Sequence, residues 1–285
     1  MNYLFKELTR KDIPAMKEIV EDMPYYFQRV VDYSPILMDY PNCYLYGVFL
    51  DNQLLGFGNL RKKTSSYTWI ESIRVNTKSQ LKGIGTALFS HGVEKAKKEN
   101  FPVVAYATEA SNQGSCSIGR KLGFQMIEEM KPLWVEPKKV VIDKNNLAEQ
   151  KTITNEEAIN LLTEIPNKPH EDICLGWEFG PIEKEFLEQY SDMKFFAIEN
   201  TILLEYKERD LISKEITNVK AIVYGLEENI EELLLGFIKR NNTNEYLSCI
   251  ITEKLEKIPQ TMGFQNAISD DGIQNKILLW KKNIE

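Results

Sequence analysis

The chain has 285 residues, of which 43% are hydrophobic and 27% are charged, as in an ordinary soluble globular protein. No uninterrupted apolar run approaches the ~20 residues that a membrane-spanning helix needs, and the first residues lack the apolar core of a signal peptide. At about 150 residues per domain, the length favours two domains.

Charge is distributed unevenly along the chain. Residues 1–140 carry 19 basic and 15 acidic side chains, whereas residues 141–285 carry 16 and 27. The positive first half suits a ligand with several phosphates, and the acidic second half argues against nucleic acid as a partner. A general solubility charge explains the second half equally well. The four cysteines form no CxxC pair, which favours reduced thiols, no metal site and a cytoplasmic location.

The first half alternates strand-like and helix-like patterns, separated by turn residues and prolines. In chain order the patterns predict a strand at 4–8, a helix at 11–23, a helical stretch at 25–40 broken by Pro35, hairpin strands at 43–50 and 54–61, a strand at 67–75, a helix at 84–100, a strand at 103–108, a helix at 114–122 and a strand at 125–135. A linker is expected between residues 136 and 151, followed by a helix at 155–164 that a Thr154–Glu157 capping box begins.

The segment 79–88, which reads SQLKGIGTAL, joins the predicted strand at 67–75 to the predicted helix at 84–100. Gly83 and Gly85 allow a sharp turn and a close approach of the main chain to a ligand. The first amides of a helix have no helical partner, and with the helix dipole they bind phosphate. The segment therefore predicts a diphosphate site. A Walker loop is excluded because no Gly-Lys-Ser/Thr follows, and a dinucleotide fingerprint is excluded because residue 88 is Leu.

This segment resembles motif A of the GNAT acetyltransferases, which bind acetyl-coenzyme A. The strand at 103–108, Asn112 and the sequence Leu122-Gly123-Phe124 follow in the order of the family's motif B. The resemblance covers the first half of the chain. It implies an α/β GNAT fold at residues 1–140, with a mixed, mostly antiparallel central sheet flanked by helices. It also implies acetyl-CoA as co-substrate and no metal.

The resemblance further implies which residues bind the coenzyme between the strands at 67–75 and 103–108. Main-chain groups on the first strand would hold the acyl and pantetheine arm, and the glycine turn would hold the diphosphate. The expected set is Ile73, Val75, Gln80, Leu81, Lys82, Gly83, Ile84, Gly85, Thr86, Asn112 and Ser115. For Lys82 a solvated surface charge is the alternative, and for Asn112 a helix N-cap.

Glu71 is the candidate general base, because many relatives carry a Glu at this place beside the thioester. Strand alternation predicts that Trp69, Glu71 and Ile73 share one face. A salt-bridging Glu on an exposed face is the alternative. Relatives often carry a Tyr seven residues after the motif B Asn, where it protonates the departing thiolate, but here Gly119 takes that position.

The missing phenol leaves Ser115, Ser117, Tyr106 or water as proton donors, and Ser115 is included among the candidate catalytic residues. Tyr25, Tyr26 and Phe27 come where the family's first helices cover the acceptor pocket. They are the candidate substrate-binding residues, with aromatic core packing as the alternative. His91 lies at helical spacing from apolar residues, which favours a packed histidine.

The second half repeats the element order of the first, and Met262-Gly263-Phe264 stands where Leu122-Gly123-Phe124 stands in the first half. The repeat predicts a tandem GNAT arrangement, with a degenerate second domain at 150–285; an unrelated α/β domain is the alternative. Glutamates replace the glycine turn, and they would repel a diphosphate. These glutamates are Glu227, Glu228, Glu231 and Glu232. We therefore expect one coenzyme site per chain.

The predicted function is an acetyl-CoA-dependent N-acetyltransferase that acts on a primary amine of a small molecule. No nucleic acid or membrane partner is expected, and the chain is expected to be a monomer or homodimer. Two alternatives stay open. The chain could be an acyl-CoA-binding module with little or no catalysis, which Gly119 favours, or an acetyltransferase with a protein or aminoacyl acceptor.

Overall fold

The computed structural model describes residues 3–78, 83–141, 150–165, 172–267 and 275–284. Strands and helices alternate through the first half, as the apolar patterns predict. The elements in this half are β1 (Leu4–Glu7), α1 (Ile13–Val20), α2 (Tyr25–Asp39), β2 (Cys43–Leu50), β3 (Gln53–Lys62), β4 (Tyr67–Val75), α3 (Ile84–Lys98), β5 (Val103–Glu109) and α4 (Gln113–Lys121).

The described residues after α4 contain more strands than the first half, several of them short. These elements are β6 (Gln125–Val135), β7 (Lys151–Ile153), α5 (Asn155–Glu164), β8 (Asp172–Cys174), β9 (Phe179–Pro181), α6 (Lys184–Leu187), β10 (Met193–Ile198), β11 (Thr201–Arg209), β12 (Ile216–Gly225), α7 (Glu227–Arg240), β13 (Leu247–Thr252), α8 (Lys257–Thr261), β14 (Gln265–Asn266) and β15 (Ile277–Asn283). The predicted capping box at the start of α5 is confirmed.

Contacts divide the chain into two compact units. The first comprises Met1–Tyr106, Gly114–Gln125 and Trp280–Glu285. Its sheet contains β1-β2-β3-β4-β5 in that order, with antiparallel neighbours except for the parallel pair β4–β5. Helices α1 and α2 pack on one face through a buried cluster that includes Met16 and Phe57. Helix α3 covers the other face.

The second unit comprises Ala107–Gln113 and Met126–Leu279. Its sheet follows the order β6-β13-β12-β11-β10-β7, and β14 pairs with β6. Only β12 and β13 run parallel among the pairs with a described register in this unit. The predicted α/β class with mostly antiparallel strands is confirmed. The contiguous domains at 1–140 and 150–285 remain a prediction, since contacts assign 126–140 to the second unit and 280–285 to the first.

Helix α2 continues through Pro35, so the predicted break at this residue is wrong. A proline inside a helix removes one N–H and leaves the carbonyl four residues earlier without its helical donor. The hydroxyl of Ser34 donates to that carbonyl, on Val31, at 2.7 Å. This bond offsets part of the cost of Pro35 and keeps the helix whole.

None of the helices among the described residues combines the length and the apolar character that crossing a membrane requires.

Candidate active site

Strand β4 is interrupted by a bulge at Ser72, whose φ is +59°. Glu71 pairs with Asn59 and Arg74 pairs with Phe57, so two residues of β4 lie opposite one residue of β3. A bulge bends its strand and increases the local twist. Positive φ is uncommon outside glycine and often marks a functional site.

The parallel pairing of β4 with β5 ends soon before the bulge. Within the described strands the last pair is Trp69–Ala105, whereas β4 continues to Val75. The edge of β4 from residue 70 to residue 75 therefore lies beyond the ladder with β5. Main-chain groups that no neighbouring strand satisfies can bind an extended ligand.

The bulge also changes which side chains share a face. A Cβ on Gly58 would point to the face of the sheet that α3 covers, and it would meet the side chain of Ile73. Ile73 therefore lies on this face. Glu71 and Arg74 lie on the other face, with their pairing partners Asn59 and Phe57. The prediction that Ile73 shares a face with Glu71 is therefore wrong, because the extra residue shifts the alternation by one.

The start of α3, at Ile84, lies close in space to the end of β4, at Val75. Gly83 is the N-cap residue of this helix, with a φ of +92°, and no heavy atom of the described residues lies within 4 Å of its Cβ position. The next amides, on Ile84, Gly85 and Thr86, have no acceptor within the helix. A Cβ on Gly85 would lie 3.9 Å from Cγ2 of Val75. The first amides of α3, beside the end of β4, suit a diphosphate.

Glu71 is held by two donors on β3. Its Oε1 accepts a hydrogen bond from Nδ2 of Asn59 at 2.9 Å, and its Oε2 accepts one from Nη2 of Arg61 at 2.9 Å. The side chain is 22% exposed. Lys63 lies nearby, with Nζ 5.5 Å from the centroid of the Trp69 ring. Burial, with a smaller effect of Arg61, lowers the pKa of Lys63 well below its usual value.

Tyr106 on β5 fills the space beside Gly119 on α4. A Cβ on Gly119 would meet the Tyr106 hydroxyl, which donates to the carbonyl of Ser115 at 3.1 Å. The ring is buried and stacks on Trp280, with centroids 6.1 Å apart. Burial raises the pKa of this phenol. Tyr106 is therefore a core residue that requires a glycine at position 119.

The start of α2 carries an exposed aromatic surface. Tyr25 is 71% exposed and Tyr26 is 57% exposed, so core packing is wrong for these two rings. Phe27 is half-buried and lies against Arg74, whose guanidinium carbon is 4.6 Å from the ring centroid. Arg74 also donates to the Ile73 carbonyl at 2.9 Å.

Residues 12–124 match the model of the acetyltransferase (GNAT) family. The matched residues contain β4, the start of α3 and the whole of α4, which form the site described above. A search of curated protein sequences finds no match to the chain.

Solved structures of the GNAT fold are similar to the whole chain. A candidate acetyltransferase from Thermoplasma acidophilum has a TM-score of 0.61 at 11% identity, covering 99% of this chain and 100% of that one. A GCN5-related N-acetyltransferase from Sphaerobacter thermophilus has a TM-score of 0.61 at 10% identity, covering 99% and 95%. A candidate acetyltransferase from Pyrococcus horikoshii has a TM-score of 0.59 at 15% identity, covering 99% and 90%. These similarities confirm the GNAT fold.

The structure brings together part of the predicted coenzyme site. Val75 at the end of β4 lies beside Gly85 at the start of α3, and the other predicted residues of these two segments are their neighbours in the chain: Ile73, Gly83, Ile84 and Thr86. Gln80, Leu81 and Lys82 fall outside the described residues. Asn112 lies in an exposed turn, in the segment Ala107–Gln113 of the second unit. Sequence reasoning missed Arg74, because only the bulge places it on the face of Glu71.

Proposed function

We propose that the chain is an acetyl-CoA-dependent N-acetyltransferase that transfers the acetyl group to a primary amine of a small molecule. The observation that carries this proposal is the edge of β4 beyond Trp69, which lies outside the β5 ladder and leads to the start of α3. The family match over residues 12–124 supports an acyltransferase independently.

Two parts of the first unit would hold the coenzyme. Main-chain groups of Ile73 and Val75 suit the acyl and pantetheine arm, since this stretch of β4 extends past its last pair with β5. Amides of residues 83–86 suit the diphosphate, together with Gln80, Leu81 and Lys82 of the same turn. Asn112 and Ser115 complete the proposed set.

Glu71 would act on the amine side of the reaction. The amine nitrogen attacks the thioester carbonyl, the carbon–sulfur bond breaks, and the carboxylate of Glu71 takes the proton from the amine, directly or through water. Asn59 and Arg61 fix the orientation of the carboxylate while part of it stays exposed. Such acid–base assistance typically contributes about 10²–10⁴-fold in rate.

The leaving thiolate needs little assistance. By analogy with cysteine, the thiol of the coenzyme has a pKa of about 8.5, so its anion is a good leaving group. Tyr106 is engaged with the Ser115 carbonyl in the core, which makes it a poor donor. The hydroxyl of Ser115, on a half-buried residue of α4, or a water molecule is the proposed proton source.

A tandem arrangement with one coenzyme site per chain is part of the proposal. In the second unit β12 pairs in parallel with β13 from Lys220, and Gly225, five residues later, has a φ of +125°. In the first unit Ser72 also follows the first parallel pair, at Tyr67, by five residues. The repeat supports a shared ancestry of the two strands.

The two strands differ after this point. Helix α7 begins at Glu227, two residues after Gly225, whereas α3 begins at Ile84. The described residues between β12 and α7 therefore contain no counterpart of the β4 extension or of the glycine turn. Glutamates at the start of α7 also oppose a bound diphosphate.

An acyl-CoA-binding module with little or no catalysis is the second candidate. Its support is the contact between Gly119 and Tyr106. Position 119, where relatives often carry a phenolic acid, has no side chain here, and the buried ring of Tyr106 fills the space beside it.

Titration calorimetry with acetyl-CoA, followed by thiol release with a panel of amines, separates these candidates. The transferase predicts one coenzyme bound per chain and thiol release that depends on the amine. Binding without release across the panel would support the module. Absence of binding would contradict both, and two coenzymes per chain would contradict the single-site proposal. A panel that includes peptides and aminoacyl compounds also tests the alternative acceptors.

A further inference from the structure

Arg74 is a half-buried cation on the face of β4 that carries Glu71. The bulge at Ser72 inserts one residue, so Glu71 and Arg74 occupy successive positions on this face. Same-face neighbours along a strand lie on the order of 7 Å apart. Arg74 is therefore next to the candidate general base and one residue from Ile73, the proposed acyl-binding position.

Among the described residues, no carboxylate forms an ion pair with Arg74. Its hydrogen bonds go to neutral carbonyls, from Nη1 to Ile73 at 2.9 Å and from Nε to Phe27 at 3.5 Å. Burial lowers its pKa to about 10, so the guanidinium stays charged at neutral pH. A half-buried charge without a counter-charge is costly, and native proteins usually pair it.

The surrounding charges leave Arg74 as an excess cation. Glu71 is already paired with Arg61 at 2.9 Å. Phe27 lies against the guanidinium, 4.6 Å from ring centroid to Cζ, and cation–π contact of this kind holds the guanidinium plane in place. A planar, oriented guanidinium matches a carboxylate or phosphate with two parallel hydrogen bonds.

We propose that the acceptor is an amine that also carries an anionic group, and that Arg74 is the residue that recognises this group. This inference rests on the proposed function. The amine would lie at Glu71 and the thioester, and the anion would lie one side-chain position further along β4. A small amino carboxylate carries both of the groups that this arrangement would recognise. The exposed rings of Tyr25 and Tyr26 lie at the start of the same helix as Phe27.

The test compares matched acceptors with the full-length chain and acetyl-CoA. Each amino carboxylate is paired with its uncharged amide, and an amino phosphate is a third arm. We expect kcat/KM to favour the anionic acceptors over the amide. Arg74→Met should lower kcat/KM for the anionic acceptors by about 10- to 100-fold, mainly through KM, the size expected for losing hydrogen bonds to a charged group. The amide should change little, and Arg74→Lys should retain part of the preference.

Two controls separate recognition from structure. Arg10→Met removes an exposed arginine that pairs with Asp39 at 2.6 Å, and it should leave the preference intact. Acetyl-CoA affinity and Tm of the Arg74 variants report whether the contact with Phe27 is needed for folding. If Arg74→Met fails to fold, the preference of the wild type and the Arg74→Lys variant still decide the question.

Three results would overturn the inference: a wild-type chain that prefers amides, equal rates for both acceptor types, or an equal loss for both in Arg74→Met. If acetyl-CoA binds but no amine reacts, the proposed transferase fails. Calorimetric titration of the amino carboxylates and amides into the CoA-saturated chain then tests Arg74 directly. Tighter binding of the anionic member, lost in Arg74→Met, would support its role, and equal binding would refute it.

Discussion

The hydroxyl of Tyr106 on β5 lies where a side chain on Gly119 of α4 would begin. The two positions therefore depend on each other, since a phenol at 106 requires a glycine at 119. The packing of Tyr106 therefore excludes a tyrosine at position 119, the position that the resemblance to GNAT acetyltransferases assigns to a phenolic acid. Restoring that acid by a single substitution would disturb the core instead of improving the reaction.

Gly119→Ala should destabilise the protein by about 1–3 kcal/mol, because overpacking a well-packed core costs this much. Tyr106→Phe removes the atom in the way and should recover most of the loss in the double variant. Urea unfolding of the wild type, both single variants and the double variant gives the coupling free energy between positions 106 and 119. Additive effects of the two substitutions would contradict the shared space.

Glu71→Gln should lower kcat by about 10²–10⁴-fold and leave acetyl-CoA affinity nearly unchanged, because the amide cannot accept the amine's proton. Steady-state kinetics and calorimetry measure the two quantities. Glu94→Gln, an exposed residue of α3, is the matched control and should behave as the wild type. Unchanged turnover in Glu71→Gln would remove this residue from the mechanism.

Gly83→Val should weaken acetyl-CoA binding, because a β-branched residue avoids the φ of +92° that the N-cap of α3 requires. Gly263 in the second unit offers a close match, with a φ of +95° and, like Gly83, no heavy atom of the described part of the chain within 4 Å of its Cβ position. Both variants should lose stability, by about 1–2 kcal/mol for a left-handed residue. Only Gly83→Val should lose coenzyme affinity, and equal affinities by calorimetry would argue against a diphosphate at this turn.

His91 should make stability fall at mildly acidic pH. Burial, and then the nearby charge of Lys95, lower the pKa of its imidazole below the value of about 6.5 in the unfolded chain. As the pH falls, the imidazole therefore binds a proton in the unfolded chain before it does so in the folded chain. The contribution of His91 to the free energy of unfolding is constant above pH ~6.5 and decreases as the pH falls towards the folded-state pKa.

His91→Gln should remove this part of the pH dependence, although it also loses the stack on Phe5, whose ring centroid is 4.4 Å away. Urea unfolding at constant ionic strength gives the difference in the free energy of unfolding between the wild type and His91→Gln. The pH should run from about 5 to about 8, on both sides of the imidazole pKa of about 6.5. A difference that does not vary with pH would show that His91 does not titrate differently on folding.

Sequence patterns predicted the elements with strong periodicity, and β4 and α5 have the predicted limits. The glycine turn before α3 was also readable, because a positive φ favours glycine. The bulge at Ser72 was not readable, since serine does not signal this conformation. Arg74 was missed for the same reason. The strands β8 and β9 have three residues each, which is too short for a period of two to be recognised.

The contact between Tyr106 and Gly119 also lay beyond sequence reasoning. A spacing of thirteen positions between a strand and a helix does not state which side chains meet. Only the packing of β5 against α4 shows that the Tyr106 hydroxyl occupies the space that a side chain at position 119 would need.

The first unit includes Trp280, whose ring stacks on that of Tyr106, so residues far apart in the chain complete one core. Domains usually fold in order as they are synthesised, at about 5–20 residues per second. Here the core around Tyr106 stays incomplete until Trp280 has been synthesised. A chain that stops early would therefore leave the amino-terminal unit incomplete, and such products would be expected to be removed by proteases instead of retaining partial activity.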